Sequence, residues 1–98
     1  MPIIVKSPIE IELMRQAGKI TAAARTIARQ AIRDGVTTKE IDREVYEFIT
    51  KSGATPSFLN YGGFPGSACI SVNEELIHGI PGDRVVRKGD IVSVDVGA

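Results

Sequence analysis

Two helix-start signals constrain this chain more than any other feature. Ser7-Pro8-Ile9-Glu10 supplies a capping hydroxyl, a proline suited to the first helical position and a glutamate three residues after the cap. Behind it, apolar residues recur at Leu13, Ala17, Ile20, Ala24, Ile27 and Ala31, in alternating steps of four and three that share one helical face. This helix is expected to end near Asp34-Gly35. Thr37-Thr38-Lys39-Glu40 repeats the capping pattern through Thr37 and Glu40. Ile41, Val45, Phe48 and Ile49 then form a second apolar face, and Gly53 is a fitting stop. Two helices on a short link predict a helical hairpin.

After Gly53 the helical period is gone. Residues 54–66 are rich in Pro, Gly, Ser and aromatics and read as an ordered loop. Ser67 to Val72 reads as a strand, Asn73-Glu74-Glu75 as a turn, and Leu76 to Pro81 as a short irregular piece. Arg87-Lys88-Gly89-Asp90 is a turn leading into a last strand, Ile91 to Val96. Residues 1–6 alternate weakly, as a short strand or an arm would. The expectation is an α+β fold, two helices packed on a small antiparallel sheet. The last strand stops at Ala98 with no polar tail, which suggests a piece of a longer polypeptide.

Composition narrows the function. With 98 residues, one domain with a modest core is expected. The 12 basic residues balance 12 acidic ones, so nucleic acid is not an expected partner. No run of about 18 apolar residues exists to cross a membrane. The start lacks the blocks of a secretory signal, and one cysteine, Cys69, makes no internal disulfide. Cytoplasmic residence is the simplest expectation. One histidine, His78, and no Cys-x-x-Cys pair leave no zinc site of the His/Cys type.

Several residues invite a chemical reading, each with a plainer alternative. In Ile91-Val92-Ser93-Val94-Asp95-Val96 the valines share one face, and Ile91, Ser93 and Asp95 the other. Asp95 is either a metal ligand or a surface aspartate on a half-exposed strand, and periodicity alone does not choose. His78, between Ile77 and Gly79-Ile80-Pro81, is either a loop-borne functional group or a histidine packed under a loop. Tyr61-Gly62-Gly63-Phe64-Pro65-Gly66 either lines a pocket or plugs the core. Cys69 reads as a small buried hydrophobe sooner than a nucleophile.

In combination the motifs are far more specific. Asn60-Tyr61-Gly62-Gly63-Phe64-Pro65, Cys69-Ile70-Ser71-Val72-Asn73-Glu74, His78-Gly79-Ile80-Pro81 and Gly89-Asp90-Ile91-Val92-Ser93-Val94-Asp95-Val96 stand in order, behind the helix start Ser7 to Gly18. Block by block, the whole chain resembles the type I methionine aminopeptidases. The resemblance implies that residues 1–98 are the amino-terminal half of a catalytic domain with the pita-bread fold, two similar halves around a curved antiparallel sheet. Such enzymes remove the initiator methionine of nascent polypeptides, using two divalent ions (cobalt, manganese, iron or zinc) held by two aspartates, one histidine and two glutamates.

Asp95 matches the first of those aspartates, and the other four ligands correspond to positions beyond Ala98. His78 matches the family's pocket histidine, which bonds substrate and steadies the transition state. Phe58, Tyr61, Phe64 and Cys69 match positions lining the methionine pocket, where aromatic walls and a soft sulfur suit a thioether. Asp90 reads as a turn residue without a site role. Gly62 departs from members with a histidine there. On this reading the fragment alone is inactive or nearly so. The alternatives are a non-catalytic half-domain that self-associates, as a homodimer, through its uncovered strand edge, and a relative that kept the fold and lost the metals. Asp95, His78 and the pocket loop argue against the last.

Overall fold

The structure, a computed structural model, describes residues 5–74 and 79–98. Helix α1 spans Pro8–Ala31 and helix α2 spans Thr38–Lys51. A single 3-10 turn at Tyr61–Gly63 interrupts the loop that follows. Strands β1, Ala68–Val72, and β2, Val92–Val96, form a two-stranded antiparallel sheet. The α+β expectation holds, with the two helices packed on the sheet.

The first capping box forms in both directions. Glu10 N–H donates to Ser7 Oγ at 3.2 Å and Ser7 N–H to Glu10 Oε1 at 2.9 Å. At α2 the Thr37 hydroxyl accepts from Glu40 N–H at 3.2 Å. The next two donors of that first turn find distant partners. Thr38 N–H donates to the Arg84 carbonyl and Lys39 N–H to that of Gly82, both at 3.0 Å. Gly53 ends α2 in the left-handed region, at φ 82°. Its N–H reaches the Thr50 carbonyl and Ala54 N–H that of Ile49, a Schellman closure.

Helix α1 departs from expectation in two ways. It ends at Ala31, because Ile32 turns extended and packs against the core while Asp34-Gly35 makes the turn. Gly35 takes φ 91° there and donates to the Val86 carbonyl. The buried face is also shorter than the period predicts. Ala24, Ala28 and Ala31 are buried, Ala17, Ile20 and Ile27 are half-buried, and Leu13 is 60% exposed. Length explains this. At 1.5 Å per residue α1 runs about 36 Å and α2 only about 21 Å, so the first half of α1 overhangs its neighbour. The alanines at the other end let the helices approach closely.

The core is built from those alanines, Val36, Ile41, Val45 and Ile49 of the hairpin, Ala68 and Ile70 of β1, and Val86. Val92, Val94 and Val96 pack against it from β2, while Ser93 and Asp95 face away, as their alternation predicts. The register sets Cys69 opposite Asp95 and Ser71 opposite Ser93.

Candidate active site

Asp95 is exposed on β2, and directly across the ladder lies Cys69, which is buried. Burial, and secondarily the Asp95 carboxylate, push the Cys69 thiol above its ordinary value. A thiol held protonated is a soft apolar wall and a poor nucleophile.

The aromatic loop reaches the same end of the sheet. Ser57 N–H donates to the Gly97 carbonyl at 3.0 Å, tying the start of the loop to the residue after β2. Phe58 and Phe64 meet edge to face, with ring centroids 6.3 Å apart. Asn60 N–H donates to the Phe64 carbonyl and Phe64 N–H to that of Tyr61, closing the loop on itself. Tyr61 stands 79% exposed at its tip. Gly62 adopts φ 58°, and nothing lies within 4 Å of where its Cβ would be. A side chain at 62 would meet no neighbour at its Cβ and would carry a cost of backbone strain.

The structure thus brings Phe58 and Phe64 together and sets Cys69 beside Asp95. The reading of His78 lies outside the described residues. Its neighbour Gly79 is docked on the outer edge of β1. Ile70 N–H donates to the Gly79 carbonyl at 2.8 Å and Gly79 N–H to Ser71 Oγ at 3.1 Å. Asp90 closes its turn by accepting from the Asn73 amide and from Arg87 N–H, which in that order hold its carboxyl below the usual range. That agrees with a turn role.

Sequence reasoning missed two supports. Asp42 Oδ1, which the sequence analysis did not single out, accepts from Ser67 N–H at 2.7 Å and Ala68 N–H at 2.9 Å. Thr38 Oγ1 accepts from Gly82 N–H at 2.8 Å across 44 residues. The one available signal was an aspartate inside a helix, where its propensity is poor.

As a metal centre the described residues are insufficient. Among them no three His, Cys, Asp or Glu side chains converge. Asp95 offers one carboxylate, and the neighbouring protonated thiol is no second ligand for ions that prefer carboxylate.

The model of metallopeptidase family M24 matches residues 12–98. The chain belongs to metallopeptidase family M24. It is 53% identical over 96 residues to methionine aminopeptidase 1 of Bacillus subtilis, covering 98% of this chain and 39% of that protein. Against methionine aminopeptidase of Clostridium acetobutylicum it is 55% identical over 97 residues, again covering 98% and 39%. The crystal structure of methionine aminopeptidase from Thermotoga maritima superposes with a TM-score of 0.93 at 44% identity, over 97% of this chain and 39% of that one. The M24 chain therefore spans about two fifths of the length of these relatives, and carries that part of their pita-bread fold.

Proposed function

We propose that the chain is the amino-terminal part of a metal-dependent methionine aminopeptidase, acting in the cytoplasm on the initiator methionine of nascent polypeptides. The supporting observation is the juxtaposition at one sheet end of Asp95, Cys69 and, through the Ser57–Gly97 bond, the Phe58–Phe64 loop. Asp95 contributes one ligand to a divalent-metal pair, of cobalt, manganese, iron or zinc, whose role when bound is to activate water and polarise the scissile carbonyl. Phe58, Tyr61, Phe64 and Cys69 form the walls for the methionine side chain, and His78 bonds the substrate. One carboxylate does not fix two cations, so the 98-residue chain alone is catalytically silent.

The test is a chimera in which residues 1–98 replace the matching stretch of the Thermotoga maritima enzyme. It should cleave a Met-Ala-Ser peptide with added manganese or cobalt, while the 98-residue chain alone should not. An inactive, folded chimera, or metal-dependent turnover by the chain alone, contradicts the reading. A second reading is self-pairing, favoured by the exposed Ile9, Leu13 and Met14 on the overhanging half of α1. Light scattering over a concentration series decides it, and a monomer at high micromolar concentration removes it.

A further inference from the structure

The outer edge of β1 is completed by pieces that are not strands. Ile70 N–H donates outward to Gly79, and two residues earlier Ala68 N–H donates outward to a side chain, Asp42 Oδ1. The same oxygen takes Ser67 N–H. Ser67 and Ala68 are 1% and 0% exposed, so without Asp42 these donors would lie buried and unpaired. The carboxylate stands in for a missing strand at the point where the aromatic loop becomes β1.

The fit is tight. A Cβ on Gly66 would lie 3.3 Å from Asp42 Oδ1 and 2.9 Å from the Pro81 ring. Glycine at 66 lets the loop pass between that ring and the carboxylate, and an acid one methylene longer at 42 would carry its oxygens past the two N–H groups. The loop is therefore held at two points, by Gly97 at its start and by Asp42 at its end. The residue after Ala68 is Cys69, whose register opposite Asp95 depends on where β1 begins.

We propose that Asp42 is a positioning residue for the methionine pocket, pinning Ser67 and Ala68 so that Cys69 sits opposite Asp95 and the Phe58–Phe64 loop keeps its shape. This rests on the reading above that Cys69 and the loop line that pocket. Asp42 touches no substrate and acts through the backbone it holds.

Cys69, the sole cysteine in the sequence, reports on the clamp without any assay of activity. In the 98-residue chain, Asp42→Ala should raise the rate of Cys69 modification by a maleimide roughly tenfold or more, as expected when bonds to a charged acceptor are lost. The control is Ile20→Ala, compared at matched fraction unfolded. Asp42→Asn, which keeps an acceptor oxygen, should restore most of the protection, and Asp42→Glu should not. In the chimera, Asp42→Ala should raise KM for Met-Ala-Ser about tenfold and change kcat by less than about threefold, with Asp42→Asn again rescuing. Thiol rates equal to the matched control overturn the clamp. An active chimera whose KM ignores Asp42→Ala overturns its role in the pocket. An inactive unsubstituted chimera counts against the aminopeptidase reading instead, and the thiol rates then decide this proposal.

Discussion

The two ends of α2 are closed by opposite means. At the carboxyl end every partner is local: Gly53 and Ala54 bond to Thr50 and Ile49, and Ser52 Oγ to Phe48. At the amino end the local Thr37 cap is joined by remote partners. Thr38 and Lys39 reach residues 82 and 84, and Asp42, one turn on, holds residues 67 and 68. A locally closed helix end can fray and reform by itself. The amino end cannot open without releasing the start of β1 and the 82–86 segment, so that half of α2 shares one cooperative unit with them.

The largest break in that contrast should come from glycine. A Cβ on Gly79 would fall onto the Ile70 carbonyl, a backbone atom with nowhere to go. Gly79→Ala should cost about 3 kcal/mol or more in urea denaturation, at the upper end of overpacking. Gly53→Ala meets nothing within 4 Å but must keep φ 82°, which costs about 1–2 kcal/mol. Equal losses for the two would erase the distinction.

Thr38 sharpens it. Its hydroxyl both accepts from Gly82 N–H and donates to the Gly82 carbonyl at 3.2 Å, and the residue is 2% exposed. Thr38→Val takes away the acceptor of the Gly82 N–H, while the Gly82 carbonyl keeps its bond from Lys39 N–H, and should cost about 1–3 kcal/mol. Amide exchange at Val86, whose N–H bonds to Val36, should accelerate with it. Exposed Ser52 at the other end is the counterpart, and Ser52→Ala should stay within about 0.5 kcal/mol.

The same division explains what the sequence disclosed. Caps, glycine stops and the valine alternation are short-range patterns, so Ser7, Thr37, Gly53 and the two faces of β2 were legible. The overhang of α1 was not, because periodicity records which face is apolar and not how far a partner extends along it. Nor were Asp42 and Thr38, whose partners lie 25 and 44 residues away. For the site, motif resemblance singled out Phe58, Phe64, Cys69 and Asp95, and the structure adds that the two rings touch and that Cys69 and Asp95 share a register. Tyr61 lies at the loop tip with its ring in solvent.

Asp95 tests whether site and fold separate within β2. Its side chain is exposed while the valines carry the packing. Asp95→Asn should leave the circular dichroism spectrum intact and stability within about 0.5 kcal/mol. Calorimetric titration with manganese should show weaker binding in the chimera. Loss of the sheet on this substitution would make Asp95 part of the scaffold.

The smallest effect is a difference in sign between a remote clamp and a local cap. Burial raises the Asp42 carboxyl above its ordinary value, and the bonds from Ala68 and Ser67 offset this only in part. A raised folded-state value makes its contribution fullest below the ordinary aspartate range, and it is lost as pH rises through the raised value. Glu10 runs the other way. The Ser7 N–H, and after it the Ser7 hydroxyl, hold its carboxyl low, so its contribution is present above the ordinary glutamate range and is lost as pH falls. Asp42→Asn should therefore compare better with the parent chain near neutrality than in acid, and Glu10→Gln better in acid than near neutrality. Urea midpoints between about pH 3 and 6, where carboxylates titrate, would show the two difference curves sloping oppositely. Parallel slopes would mean that Asp42 is no more desolvated than an exposed cap, and that the clamp at the start of β1 is open to water.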